Sequence, residues 1–135
     1  MANAYASLNT SHTPEHVWAL IGGFNSLPDW LPFITESICS EGGRVRSLKD
    51  PEGNSIVERL QTFDEQQRTY SYSIISSPFP VTDYLATLRV QANGRGSLVE
   101  WFGEFTPAGV SDADAEALFK GIYEGGLEAL AKNLD

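Results

Sequence analysis

Residues 111–134, S-D-A-D-A-E-A-L-F-K-G-I-Y-E-G-G-L-E-A-L-A-K-N-L, decide how the rest of the chain is organised. Ser111 is a capping residue and Asp114 is an acidic partner three positions later, so the pattern predicts a helix that starts here. Such a long one-sided helix needs a surface to cover, and the preceding strands supply it. The apolar residues expected on its inner face are Ala115, Leu118, Phe119, Ile122, Ala129 and Leu130.

Three glycines interrupt this helix, at Gly121, Gly125 and Gly126. Each glycine inside a helix costs about 1 kcal/mol relative to alanine, so something must compensate for them. Two interpretations are open. Either the helix backbone packs closely on the sheet, which is the commoner reason for a helical glycine, or the missing side chains leave room for a bound molecule.

Composition limits the classes of protein to consider. The 135 residues predict one domain, 1–135, with a core of its own. Nine basic and eighteen acidic residues give a net charge of −9, which argues against nucleic acid and anionic membrane surfaces as partners. Cys39 is the single cysteine, and neither a signal-like amino terminus nor a membrane-spanning segment is present, so we expect a cytoplasmic protein without membrane insertion. No sequence feature specifies an oligomeric state.

The chain before the long helix predicts a strand, two short helices and a run of antiparallel strands. Thr13 and Pro14 begin the first helix, Gly22 and Gly23 end it, and residues 25–33 suit a second short helix or turn. This order predicts an α+β fold with helices on one face of a curved antiparallel sheet. The expected strands are residues 4–9, 34–40, 44–49, 55–63, 68–76, 81–91 and 97–105.

Alternation along these strands separates an inner face from an outer face. The inner face is rich in tyrosine and tryptophan, which suits either a plain core or a pocket with a few polar groups. Thr69, Arg89, Glu100 and Glu104 fall on the opposite face and are expected in solvent. The inner residues are Tyr70, Tyr72, Ile74, Tyr84, Ala86, Leu88, Val90, Val99, Trp101, Gly103 and Phe105.

The strand at residues 55–63 has no clean polar side, and two registers are open. In the favoured register Glu58 points inward, where desolvation would raise its pKa unless a donor satisfies it. In the other register Glu58 is solvated and Arg59 points inside, which would favour an anionic ligand.

Sequence motifs for metal, phosphate or nucleophilic sites do not hold up. His12, Glu15 and His16 match H-x-x-E-H, but Thr13 and Pro14 place His12 before the helix begins, so the two histidines do not share a helical face. The chain has no G-x-S-x-G sequence and no P-loop. We therefore expect no metal and no cofactor.

The combined pattern resembles the polyketide cyclase/dehydrase-like (SRPBCC) branch of the START and birch-pollen-allergen superfamily. The resemblance runs along nearly the whole chain and depends on the order and spacing of several short segments. Those segments are residues 14–18, 30–32, 58–60, 70–72, 78–81, 84, 86–90, 100–101, 105, 122–123, 126–127 and 130.

This resemblance implies a helix-grip fold, in which a seven-stranded antiparallel sheet wraps around the long carboxy-terminal helix and two short helices close a cavity. It implies binding of a mainly hydrophobic small molecule, such as an aromatic, polyketide or lipid-like compound. The alternatives are a cyclase or dehydratase that uses Glu58 as general acid or base, and a protein-interaction module without enzymatic activity. The expected ligand-binding residues are Trp30, Glu58, Tyr72, Phe79, Tyr84, Trp101, Ile122 and Gly126.

Overall fold

Seven antiparallel strands form one sheet, and a 23-residue helix packs across it, in a computed structural model that describes residues 2–134. The elements are β1 (Ala2–Thr10), α1 (Pro14–Ile21), α2 (Leu27–Trp30), β2 (Glu36–Ser40), β3 (Val45–Lys49), β4 (Ser55–Asp64), β5 (Thr69–Ser76), β6 (Val81–Asn93), β7 (Gly96–Pro107) and α3 (Asp112–Leu134). The strand order is β1-β7-β6-β5-β4-β3-β2, so β1 and β2 are the two edges.

Capping residues begin the helices where the sequence predicts. The Thr13 side chain accepts a hydrogen bond from the His16 backbone N–H, and Pro14 occupies the first turn of α1. The Ser111 hydroxyl likewise accepts from the backbone N–H of Asp114 at 3.1 Å. Both predicted helix starts are therefore confirmed.

The buried stripe of α3 is rotated from the one the sequence predicts. Leu118 was expected inside, but it is 37% exposed. The helix packs mainly on β1 and also contacts β7, which selects a different set of inner positions. The buried residues of α3 are Ala115, Phe119, Tyr123, Gly126, Leu127, Leu130 and Leu134.

The three glycines of α3 divide into two kinds. A Cβ atom on Gly126 would lie 2.5 Å from Trp101 Cζ3 and 3.1 Å from Leu31 Cδ1, so close packing requires glycine there. A Cβ atom on Gly121 or Gly125 would meet nothing within 4 Å. The packing interpretation therefore holds for Gly126 alone.

Strand pairing sets which side chains face the helix. In the β3–β4 pair, Leu48 lies opposite Ile56 and Arg46 lies opposite Glu58. The β4–β5 register shifts between Val57 and Glu58, as in a β-bulge.

The second strand is shorter than predicted, because β2 begins at Glu36 rather than at residue 34.

Within residues 2–134, no helix combines the length and the apolar character that crossing a membrane requires.

Candidate functional site

A buried ion pair between Arg46 and Glu58 lies under the short helices. Arg46 is 1% exposed and Glu58 is 7% exposed. Arg46 Nε donates to Glu58 Oε1 at 2.8 Å, and Arg46 Nη2 lies 2.7 Å from the same oxygen. The pair spans adjacent strands, because the two residues are register partners in β3 and β4.

The rest of the guanidinium group is also held by its surroundings. Arg46 Nη1 donates to the carbonyl oxygen of Phe24 at 2.6 Å and to the Tyr70 hydroxyl at 3.4 Å. The guanidinium carbon lies 4.1 Å from the ring centroid of Phe24 and 4.9 Å from that of Tyr72. These contacts suit a cation that stays charged inside the protein.

Burial and pairing shift the pKa of both members. Burial raises the pKa of Glu58, and the neighbouring Arg46 offsets part of that rise. Burial opposes the charge on Arg46, but the Glu58 carboxylate together with Tyr70 and Tyr72 outweighs burial, so the pKa of Arg46 is raised. Glu58 is therefore a stronger base than a solvated glutamate.

Of the two registers left open by the sequence, the structure has the one with Glu58 inside. Arg59 points outward and pairs with the exposed Glu41 at 3.4 Å. Sequence reasoning missed Arg46, although a signal was available. Counting back from the turn between β3 and β4 puts Leu48 opposite Ile56, and the same pairing puts Arg46 opposite Glu58.

Four polar aromatic side chains lie beside the ion pair. Trp101 Nε1 donates to the Tyr72 hydroxyl at 3.0 Å, and the hydroxyls of Tyr84 and Tyr123 are hydrogen-bonded to each other. Burial is the main cause that raises the pKa of all three tyrosines, so each hydroxyl keeps its proton at neutral pH. Gly103 makes room for this cluster, since a Cβ atom there would lie 2.5 Å from the Tyr123 hydroxyl oxygen.

A small interior cavity brings the ion pair and the tyrosines together. Its volume is about 40 Å³, which is room for on the order of three water molecules. Its wall is largely apolar, with Glu58, Arg46 and the tyrosines as the polar groups. The lining residues are Leu27, Leu31, Phe33, Ile34, Arg46, Leu48, Ile56, Glu58, Tyr72, Ile74, Phe79, Tyr84, Trp101, Phe119, Ile122 and Tyr123.

An apolar surface groove of about 290 Å³ adjoins the cavity. Leu31, Phe33 and Ile122 line both spaces, so these three side chains separate the groove from the interior. Gly121 and Gly125 form part of the groove floor, which explains why they have open space beside them.

Six of the eight predicted site residues line the interior cavity: Glu58, Tyr72, Phe79, Tyr84, Trp101 and Ile122. Trp30 and Gly126 do not line this cavity. Trp30 is fully buried behind Trp101, with ring centroids 5.9 Å apart, and Gly126 faces Trp101 and the groove. Trp30 Nε1 is buried without a hydrogen-bond partner among the described residues.

The outer face of the sheet also departs from expectation at Glu100. This carboxylate was expected in solvent, but it is 7% exposed. It accepts hydrogen bonds from the Tyr5 hydroxyl at 2.5 Å and from Arg89 Nη2 at 2.8 Å. Burial opposes its ionisation, but these two donors outweigh burial and lower the pKa of Glu100.

Metal ligation finds no support in the described side chains. Across residues 2–134, no group of three His, Cys, Asp or Glu side chains is placed to hold a metal ion.

Comparisons with known proteins agree with this architecture. A family model described as polyketide cyclase/dehydrase and lipid transport matches residues 1–135. The structure of the protein XoxI from Bacillus cereus is 53% identical, with a TM-score of 0.97 over 99% of this chain and 96% of that one. An uncharacterised protein from Bacillus thuringiensis is 52% identical, with a TM-score of 0.96 over 99% and 100%.

More distant comparisons add the fold alone. The crystal structure of Ara h 8.0201 is 18% identical and covers 98% of this chain and 96% of that one, with a TM-score of 0.78. A comparison with curated proteins found no match.

Proposed function

The chain belongs to the polyketide cyclase/dehydrase and lipid transport family, and from this premise we propose that it binds a mainly apolar small molecule between its sheet and α3. Its fold is the helix-grip fold, with a seven-stranded antiparallel sheet against a long carboxy-terminal helix. Membership of the family supports a domain that binds hydrophobic ligands. The site and the class of ligand are proposed here from the geometry.

The observation that carries the proposal is the position of the cavity beside the groove. The cavity of about 40 Å³ is too small for an organic ligand, because ligand sites usually measure several hundred Å³. Three side chains, Leu31, Phe33 and Ile122, separate it from the apolar groove of about 290 Å³. Outward movement of Phe33 and Ile122 joins the two spaces into a site of the usual size.

Moving Phe33 and Ile122 costs little burial, whereas Leu31 is 6% exposed and stays in place. Complete exposure of a buried phenylalanine costs about 1.5–3 kcal/mol, and Phe33 is already 43% exposed. Ile122 is half-buried at the edge of the core. An apolar ligand that fills the joined space covers the exposed wall again, so binding favours the open arrangement.

Two neighbouring isoleucines of β5 allow a matched test. Ile74 lines the interior cavity, whereas Ile75 is 52% exposed on the other face of the strand. We expect Ile74→Phe to fill the cavity and to weaken binding of 1-methylnaphthalene by at least tenfold, measured by the fluorescence of the probe. Ile75→Phe should leave the affinity unchanged. The opposite result, a loss confined to the Ile75 variant, would place the probe outside the interior and reject the proposal.

A second candidate function is proton transfer to or from a bound ligand. The observation that favours it is a glutamate of raised pKa, Glu58, in the same cavity as tyrosine hydroxyls that could donate to a developing enolate oxygen. We expect the protein to accelerate the exchange of the C2 protons of 1-tetralone for deuterium in D2O buffer, relative to the same buffer without protein. NMR measures both exchange rates. Glu58→Gln should remove the acceleration. An exchange rate equal to that in buffer would reject this function.

A further inference from the structure

The two carboxylate oxygens of Glu58 have different surroundings. Both nitrogens of Arg46 that contact this carboxylate, Nε and Nη2, reach the same oxygen, Oε1. Among residues 2–134, no hydrogen bond reaches Oε2, and Glu58 belongs to the cavity wall. A carboxylate oxygen in a cavity wall without a protein donor is a strong acceptor for a ligand, because charge-assisted hydrogen bonds are the strong ones.

Arg46 offers little to an anionic ligand. A guanidinium group has five N–H donors, and four of those of Arg46 are used by Glu58, the Phe24 carbonyl and the Tyr70 hydroxyl. Glu58 also neutralises its charge. A ligand carboxylate would therefore lose its hydration and meet the Glu58 carboxylate without gaining a free cation.

Tyr72 supplies the complementary donor. Its hydroxyl oxygen accepts from Trp101 Nε1 at 3.0 Å, and the Tyr84 hydroxyl is its other hydrogen-bonding neighbour. Tyr72 and Glu58 line the same cavity, and the Glu58 charge contributes to the raised pKa of Tyr72. The cavity therefore holds an acceptor that the protein leaves unused and a tyrosine hydroxyl that can donate to a ligand.

We propose that Glu58 Oε2 and the Tyr72 hydroxyl form a subsite for the neutral hydroxyl group of an otherwise apolar ligand. The ligand hydroxyl donates to Oε2 and accepts from Tyr72, so a single hydroxyl satisfies both groups. The preferred class is a phenol or an alcohol on an apolar body, and carboxylates are disfavoured. This subsite rests on the proposed function, because it needs a ligand in the cavity.

Three probes of similar size test the subsite on the unmodified protein. They are 1-naphthol, which donates and accepts, 1-methylnaphthalene, which does neither, and 1-naphthoate, which is anionic. We expect 1-naphthol to bind about 10-fold to 100-fold more tightly than 1-methylnaphthalene, the range for a hydrogen bond to a charged group, and 1-naphthoate to bind more weakly than both.

Two variants assign the preference to these residues. Glu58→Gln keeps an oxygen for Arg46 and puts an amide donor in place of Oε2, so the ratio of the two dissociation constants should fall to near 1. The affinity of 1-methoxynaphthalene, which only accepts a hydrogen bond, should rise relative to that of 1-naphthol in this variant. Tyr72→Phe leaves the ion pair in place and should also lower the ratio, so it serves as the second variant if the first one does not fold.

The outcomes separate the subsite from the proposed function. Equal affinity of 1-naphthol and 1-methylnaphthalene for the unmodified protein would overturn the subsite while leaving apolar binding in place. A preference that persists in Glu58→Gln or in Tyr72→Phe would overturn it too, because other groups would then recognise the hydroxyl. Failure of both probes to bind would overturn the proposed function and the subsite with it.

Discussion

Replacing Arg46 with methionine leaves the Glu58 carboxylate buried without a cation. Arg46 is 1% exposed, and the change removes two contacts to Glu58 Oε1 and the bond to the Phe24 carbonyl. Removing one partner of a buried pair costs about 3–5 kcal/mol, so we expect a loss of that size in the free energy of unfolding at pH 8. Urea unfolding followed by tryptophan fluorescence measures it.

The loss should depend on pH with a definite sign. In Arg46→Met only desolvation acts on Glu58, so its pKa in the folded state rises further above the ordinary value of 4.5. A raised carboxyl pKa gives stability that is present below the unfolded pKa and is lost as the pH rises through the folded pKa. Each pH unit crossed in this window costs up to about 1.4 kcal/mol, so the variant should be clearly more stable at pH 5 than at pH 8.

Two further variants control this experiment. Arg59→Met removes an exposed arginine that pairs with Glu41, and we expect it to cost less than about 1 kcal/mol at either pH. Arg46→Met combined with Glu58→Met removes both charges and should recover most of the lost stability. The reasoning would be refuted if Arg46→Met cost no more than Arg59→Met, or if the variant became less stable as the pH fell from 8 to 5.

Three further predictions concern packing and the outer face. Gly126→Ala should lower the free energy of unfolding by about 1–3 kcal/mol because its Cβ meets Trp101, whereas Gly121→Ala should raise it by up to about 1 kcal/mol. Thermal unfolding compares the two variants, and equal effects would contradict the close packing at Gly126. Gly103→Ala should destabilise the protein less in a Tyr123→Phe background, and a double-mutant cycle without coupling would contradict the close approach. Tyr5→Phe should lower the free energy of unfolding by about 1 kcal/mol at pH 7, measured by urea unfolding. This loss should shrink as the pH falls through the lowered pKa of Glu100, because a protonated Glu100 no longer gains from the Tyr5 donor. A loss that stays constant with pH would contradict this reasoning.

Local signals in the sequence predict much of this fold. The Thr13 and Ser111 caps mark helix starts by side-chain chemistry that acts within three residues, so no tertiary information is needed. Alternation similarly assigns Tyr72 and Trp101 to the inner face, because successive side chains of a strand point to opposite faces.

Features that depend on several elements at once were not predicted. Arg46 in isolation suits a solvated strand position, and only its pairing with Glu58 across β3 and β4 brings it inside. Glu100 lies on the outer face as alternation predicts, but Tyr5 from β1 and Arg89 from β6 cover it there. The inner stripe of α3 depends on how the helix sits on β1, which its own periodicity does not specify.

The size of the cavity depends on side-chain packing and could not be predicted from the sequence. Phe33, which follows α2, and Ile122 of α3 line both the cavity and the groove, and no pattern in the sequence determines their rotamers. The small volume is the reason that the proposed ligand binding includes movement of this wall.

The central claim is that an apolar ligand enters the space between sheet and helix, and the three indole N–H signals of the protein test it most directly. Trp101 Nε1 donates to Tyr72 at the cavity, whereas Trp18 Nε1 donates to Glu65 at 3.1 Å, away from the cavity wall. In a ¹⁵N NMR titration with 1-naphthol, we predict that the Trp101 signal shifts to saturation while the Trp18 signal stays in place. An unmoved Trp101 signal, with shifts confined to the outer face around Tyr5 and Phe102, would contradict it.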